Sequence, residues 1–185
     1  MRRTLWGMIA TTALVLAAPA HATDAAAQKA ELRKMCDEAL AALYKAKPDA
    51  KAEVHKAAGY GCFSSFGVSF FVGGASGRGL VHDNATKKTT FMNMGQASGG
   101  LDFGVKEYRE VLVFKDKATL AKFIEKGWEF GGQGTATAAV EGKGAKAEDT
   151  LVTSAPIVVY PMTRTGLGIG VSAGARKYWK DKDLD

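Results

Sequence analysis

The feature that most limits what this chain can fold into is a change in its hydrophobic period at Gly59. Upstream of it, apolar residues recur every three or four positions, as they do on one face of a helix. Downstream, segments rich in β-branched and aromatic residues are broken by glycines, which favours strands joined in hairpins. These segments are YGCFSSFGVSFFVGGASGRGLVHD (60–83), KKTTFMNMGQASGGLDFGVKEYREVLVFKD (87–116), WEFGGQGTATAAVEGKG (128–144) and APIVVYPMTRTGLGIGVSAGARKYW (155–179).

Three helices accompany the strands. The first is predicted over 24–47, and its polar face mixes acids with bases, so we expect it to pack on the core. Its apolar stripe consists of Leu32, Met35, Cys36, Ala39, Leu40 and Leu43. Pro48 and Asp49 begin a short helix that ends by Gly59, and KDKATLAKFIEKG (115–127) predicts a third helix among the strands. The fold class is α+β: N-terminal helices, then a glycine-rich antiparallel sheet that could curl like a barrel, with one inserted helix.

The first 22 residues have the composition of an export signal. Arg2 and Arg3 precede an apolar run, and Ala20-His21-Ala22 is a small-x-small cleavage site. The apolar run is short for a membrane span, so we expect a soluble periplasmic or secreted protein that begins near Thr23. The general export route is favoured over the twin-arginine route, although the arginine pair is compatible with both.

The charge of the chain is only mildly basic. Loss of Arg2 and Arg3 with the signal lowers the formal net charge from +6 to +4. This excess is far from the dense basic stripes of nucleic-acid binders, so nucleic acid is excluded as a partner.

Two cysteines remain after cleavage, Cys36 and Cys62. In an exported chain they could form a disulfide, and they could equally be two buried thiols. Neither their spacing nor their neighbours indicate a metal site.

The stretch FVGGASGRGLV (71–81) resembles a phosphate-binding loop in composition but not in context. Such a loop needs a helix after its last glycine, and here Leu80, Val81 and His82 continue a strand. Glycines inside strands mark bends or close approaches of another backbone. A nucleotide site is therefore not predicted, and no cofactor is expected.

No set of residues forms a catalytic pattern. The Gly-x-Ser-x-Gly elbow is absent, and His55 and His82 are interpreted as solvated or hydrogen-bonded side chains. Glu107 and Glu110 are three apart on a strand and so face opposite sides. The protein is predicted not to be an enzyme.

Several of these segments resemble the SYLF domain family in its bacterial exported form. The resemblance rests on AAGYGCF (57–63), VGGASGRGLVHD (72–83), GQASGGLDFGVKEYREVLVFKDKATLAKF (95–123) and WEFGGQGTATA (128–138). It implies phospholipid binding without catalysis or cofactor. Eukaryotic members recognise phosphoinositides, and some, including yeast actin-bundling relatives, also bind actin filaments.

The chain departs from the family pattern at two places. Ser64 stands where proline is common, and no lysine or arginine occurs between Phe63 and Arg78. Asp102 and Lys106 replace two glutamines that would share one face of a strand.

The predicted organisation is a signal peptide (1–22), a helical segment (23–56), a SYLF-like lipid-binding domain (57–180) and a charged tail (181–185). The predicted function is binding of anionic phospholipid at the envelope membrane; the alternative is an envelope scaffold, a protein-interaction module or a small outer-membrane barrel. The residues proposed to contact lipid are Arg78, Lys87, Lys88, Arg176, Lys177, Trp179 and Lys180, with Gly73, Gly74, Gly77 and Gly79 as a glycine loop. The competing interpretation makes the glycines architectural, Arg78 a solvated turn residue and the C-terminus a fraying tail.

Overall fold

A computed structural model describes residues 20–70, 72–99, 104–130, 152–154, 156–163, 166–167 and 174–185. It contains the three predicted helices: α1 (Ala20–Ala46), α2 (Asp49–Lys56) and α3 (Lys117–Lys126). Most of the predicted signal peptide, Phe71, Asp102 and the segment 131–144 lie outside the described residues. Within those residues, no helix combines the length and the apolar run needed to cross a bilayer.

The remaining elements form one antiparallel sheet that curls into a half barrel, which confirms the predicted α+β class. Its strands are β1 (Gly59–Phe70), β2 (Val72–Asp83), β3 (Thr89–Gly99), β4 (Gly104–Phe114), β5 (Trp128–Phe130), β6 (Val152–Ser154), β7 (Ile157–Thr163), β8 (Gly166–Leu167) and β9 (Gly174–Lys180). Their order is β5-β9-β3-β2-β1-β4-β7-β6, with β8 paired to β7. Consecutive pairing of β3, β2, β1 and β4 places the glycine-rich β2 at the middle of the sheet.

The convex face of the sheet is covered by α1 and α2. The apolar stripe predicted for the first helix packs there on Cys62, Leu80 and Phe91 of three neighbouring strands. Burial of this stripe contributes on the order of 25 cal/mol for each Å² of apolar surface removed from water. The first predicted helix is therefore a core helix, as its mixed polar face indicated.

The concave face holds a second apolar cluster under α3. Leu120 and Phe123 of this helix are buried against Phe63, Phe114 and Tyr178. Asp116 begins the helix by accepting a hydrogen bond from the Thr119 amide at 2.8 Å, and Gly127, with φ of 74°, ends it. The two apolar clusters on opposite faces make the sheet the central layer of the molecule.

Cys36 and Cys62 form a disulfide that joins α1 to β1, with their Cα atoms 5.2 Å apart. Both residues are buried in the convex-face cluster. The sequence left open whether these cysteines form a disulfide or are two buried thiols, and in the structure they are bonded.

The glycines proposed as a loop lie within β2, so the loop interpretation is corrected. Gly79 pairs with Phe63, and a Cβ on it would lie 2.2 Å from the Cys62 carbonyl oxygen. A Cβ on Gly77 would lie 2.3 Å from the Ser64 carbonyl oxygen. Gly74 is different, because its nearest neighbour would be 3.8 Å away. Two of the glycines are thus required by close packing against β1.

The charged tail predicted for 181–185 is also corrected. Leu184 is buried in the convex-face cluster, and Asp181 is buried with its amide donating to the Phe91 carbonyl oxygen at 3.0 Å. The Lys180 Nζ atom lies 2.8 Å from an Asp185 carboxylate oxygen. The C-terminal residues continue the packed domain and do not fray from it.

Candidate functional site

Of the residues proposed from the sequence, three lie together on the convex side of the sheet. Arg78 on β2 lies opposite Asn93 on β3, and Asn93 lies opposite Trp179 on β9. Lys177 is two residues before Trp179 on the same strand. Residues directly opposite one another in an antiparallel sheet share a face, as do residues two apart on a strand. Alternation along the strands therefore brings Arg78, Lys177 and Trp179 to one surface.

Trp179 is the exposed hydrophobic of this surface. It is 43% exposed, and among the described residues no other large hydrophobic side chain is classed as exposed. The indole lies across Gly95, where a Cβ would sit 3.3 Å from its ring carbons. Because Gly95 has no side chain, one side of the indole packs directly on the β3 backbone while the other side stays in solvent.

Charged residues lie on the same face of the sheet as the indole. Lys177 is exposed, and Glu129 of β5 lies directly opposite it in the sheet register. Lys29 and Arg33 of α1 approach from the other side and lie over the Phe91 ring, 5.5 and 5.3 Å from its centroid. Sequence reasoning missed these two cations, because only the packing of α1 on β3 brings them to the surface.

Arg78 is held at the edge of this group and is not a solvated turn residue. Its Nη1 atom donates to the Gln28 side chain of α1 at 2.6 Å. Its Nε atom lies 3.7 Å from the buried Asp181 carboxylate. Its side chain is nevertheless 48% exposed, so the guanidinium stays open to solvent. We define the Trp179 surface as Lys29, Arg33, Arg78, Lys177 and Trp179.

Arg176 does not belong to this surface, which corrects its proposed role as a headgroup contact. It faces the concave side, is 6% exposed and donates from Nη1 to Glu110 at 2.6 Å. Glu110 also accepts hydrogen bonds from the hydroxyls of Tyr178 and Tyr108. This cluster could not be predicted from the sequence, because its members lie on β4 and β9, far apart along the chain.

Burial governs the ionisation of this cluster. Loss of solvent, followed by the nearby Glu110 charge, raises the pKa of Tyr178 and of Tyr108, so both hydroxyls stay protonated as donors. Burial opposes the charge of Arg176, but Glu110 and the two tyrosines raise its pKa above the usual value. Arg176 is therefore a permanent cation paired inside the protein.

The remaining proposed residues lie elsewhere. Lys87 and Lys88 are exposed on the turn between β2 and β3, and Lys87 has a φ of 59°. This turn begins six residues beyond Arg78 on the extended β2, hence ~20 Å away. Lys180 faces the concave side and pairs with Asp185. The structure therefore separates these bases from the Trp179 surface.

No three histidine, cysteine or acidic side chains converge as a metal site in the part of the chain that is described. His82 lies with its Nδ1 atom 3.2 Å from the Thr89 hydroxyl, and burial, followed by Lys87, lowers its pKa. An aromatic ring among basic side chains on an open surface suits contact with an anionic interface.

Comparison with known proteins gives two findings. Residues 95–185 match the family described as "Ysc84: Las17-binding protein actin regulator". A protein of Aeromonas veronii named Beta cell expansion factor A is 33% identical over 153 residues, which cover 83% of this chain and 57% of that protein. The chain thus spans less than two thirds of the length of this relative. The family match includes Gly95, Lys177 and Trp179, whereas Arg78 precedes it.

Proposed function

Because this chain belongs to the SYLF family, in its Ysc84 form, we propose that it is a non-catalytic protein that binds anionic phospholipid at a membrane surface. We further propose that it acts in the cell envelope after export, with residues 1–22 removed as a signal peptide. N-terminal sequencing of the protein from producing cells should then begin near Thr23.

The observation that carries this proposal is the exposed Trp179 ring beside basic side chains. Tryptophan favours the boundary between water and hydrocarbon, because its ring is largely apolar and its N–H needs a polar partner. Each lysine or arginine near an anionic bilayer adds about 1 kcal/mol of attraction within a Debye length. The Trp179 surface offers both contributions on one side of the molecule.

Vesicle flotation tests the proposal. We expect the protein to float with vesicles of phosphatidylcholine and phosphatidylglycerol, to float poorly with phosphatidylcholine alone, and to lose binding as salt is raised. Lys177→Glu and Trp179→Ala should each weaken binding. Glu129→Gln should strengthen it, because Glu129 opposes Lys177 across the sheet.

Lys45→Glu is the matched control, since it makes the same charge change on α1. Lys45 lies twelve residues beyond Arg33, or ~18 Å along the helix, and is also exposed. The Lys45→Glu variant should bind vesicles as well as the wild type does. Flotation that is insensitive to salt and to both surface substitutions would reject the Trp179 surface. Absence of flotation altogether would favour a protein partner, the kind of partner that the family description names.

A further inference from the structure

A second basic surface lies at the end of the sheet where β1 begins and where β2 and β4 end. It is a solvent-open cleft of about 380 Å³ between α2, the β2–β3 turn and the start of α3. This volume falls within the range of small-molecule sites. Its polar lining residues are Lys56, Asn84, Lys115, Asp116 and Lys117, and three alanines complete the lining. None of them belongs to the Trp179 surface.

The walls of the cleft are fixed by hydrogen bonds. The Asn84 side-chain amide donates to the carbonyl oxygens of Val54 and Ala57 at 2.8 and 2.9 Å, which ties the turn to the end of α2. The Ala58 amide donates to the Phe114 carbonyl oxygen at 2.9 Å. Because these backbone groups are already engaged, a ligand would be bound mainly by the lysine side chains.

Charge on the lining is unbalanced. Lys56, Lys115 and Lys117 are exposed and face one carboxylate, that of Asp116. This carboxylate is already hydrogen-bonded, since its two oxygens accept from the Thr119 amide at 2.8 Å and the Thr119 hydroxyl at 2.9 Å. The same hydrogen bonds, the amide first, lower the pKa of Asp116. The lining therefore carries an excess of two positive charges.

The adjoining turn adds one carboxylate, Asp83, which interacts with the charge of Lys117, and two more lysines. Asp83 lies in the turn, where its Oδ1 atom accepts from the amides of Ala85 and Thr86 at 2.8 and 3.0 Å. Lys87 and Lys88 follow in the same turn and are both exposed. The turn thus adds two lysines and one carboxylate, so the cleft and the turn together remain positively charged.

We propose that this cleft binds a phosphomonoester group. A phosphomonoester is close to a dianion at neutral pH, because its second pKa is about 6, and so it matches the excess of two charges. Lysines suit it as mobile point charges that can surround one group. A phosphodiester has a single charge and fits less well. The group could come from a soluble phosphate ester or from a lipid such as phosphatidic acid, and the proposal is independent of the Trp179 surface.

An NMR titration of the backbone amides tests the proposal in solution. Glycerol 3-phosphate should shift the amides of Ala57, Ala58 and Ala85 until they saturate, whereas glycerol and dimethyl phosphate should shift them little. A second arm compares vesicles containing phosphatidic acid with vesicles containing phosphatidylglycerol. Saturation in the first arm supports a soluble ligand. Because the Trp179 surface should bind both kinds of vesicle, tighter binding to phosphatidic acid vesicles than to phosphatidylglycerol vesicles supports a lipid ligand.

The variant for both arms is Lys115→Glu with Lys117→Glu. An acid at the start of α3 is favourable for the helix, so the fold should be retained. Each reversal should weaken binding about tenfold at low salt. Lys51→Glu, an exposed lysine of α2 outside the cleft, is the matched control and should bind as the wild type does.

Three results would overturn the proposal: no shifts with glycerol 3-phosphate together with no preference for phosphatidic acid vesicles, equal binding by the double variant, or saturating shifts confined to other amides. Trp179→Ala should leave the response to glycerol 3-phosphate intact. Loss of vesicle binding through the Trp179 surface is therefore distinguishable from failure at the cleft.

Discussion

Gly77 and Gly79 allow β1 and β2 to pack where no side chain would fit. The aromatic ring of Phe63 occupies the space beside Gly79, where a Cβ would be 2.4 Å from the ring. Phe63 in turn packs edge-on against Tyr178, with ring centroids 4.9 Å apart. The glycine pattern that resembled a ligand loop is therefore needed, at these two positions, by the concave-face core.

Alanine substitutions at two glycines of β2 should give opposite results. Gly79→Ala should lower the free energy of unfolding by about 3 kcal/mol or more, because the new methyl group would meet the immobile Cys62 carbonyl oxygen. Gly74→Ala should stay within about 0.5 kcal/mol of the wild type, because it has space. Urea denaturation measures both. Equal losses would show that the backbone of β2, and not local packing, requires glycine.

At the scale of elements, α1 is attached to the sheet at several points along its length. The disulfide fixes its middle to β1, and Arg109 of β4 donates to Glu38 at 3.3 Å. Arg78 reaches Gln28 nearer the helix N-terminus. The ion pair is partly exposed and contributes little, so the apolar stripe and the disulfide provide most of the attachment.

Reduction of the disulfide should destabilise the protein by about 3 kcal/mol in the chain-entropy model, since it closes a loop of 26 residues. Denaturation of oxidised and reduced protein of the same sequence measures the difference. Before reduction, Cys36 and Cys62 should resist alkylation in denaturant. Labelling of both thiols under those conditions would show that the bridge is absent and would return the two residues to the apolar core.

At the scale of the molecule, the ion pair of Glu110 and Arg176 spans the concave side of the curled sheet. Three strands, β1, β2 and β3, separate β4 from β9 in the sheet order. The Arg176 Nη1 atom nevertheless lies 2.6 Å from the Glu110 carboxylate, and Tyr178 of β9 donates to the same carboxylate. The polar cluster thus links two distant strands across the interior.

Removing one member of this pair should cost about 3–5 kcal/mol, because the other charge would stay buried without a partner. Thermal denaturation of Glu110→Ala should show this loss. Glu110→Leu combined with Arg176→Met should recover part of it, since no charge would then be buried although the Tyr178 hydroxyl would still lack its acceptor. A Glu110→Ala protein with the same melting temperature as the wild type would show that water reaches Arg176.

The kinds of elements and the positions of the helices could be predicted from local sequence patterns alone. The stripe from Leu32 to Leu43 has the helical period, and this local pattern is enough to identify both the element and its buried face. The glycine-broken strands likewise identified an antiparallel sheet, because strand propensity and turn residues are local properties.

Which side chains meet could be learned only from the folded arrangement of the strands. Arg176 and Lys177 are neighbours in sequence with the same charge, yet alternation along β9 buries one beside Glu110 and exposes the other beside Trp179. Likewise Lys56 and Lys117 meet across one cleft although about 60 residues separate them in sequence. Such contacts depend on strand order and register, which are set by long-range packing and leave no local pattern in the sequence.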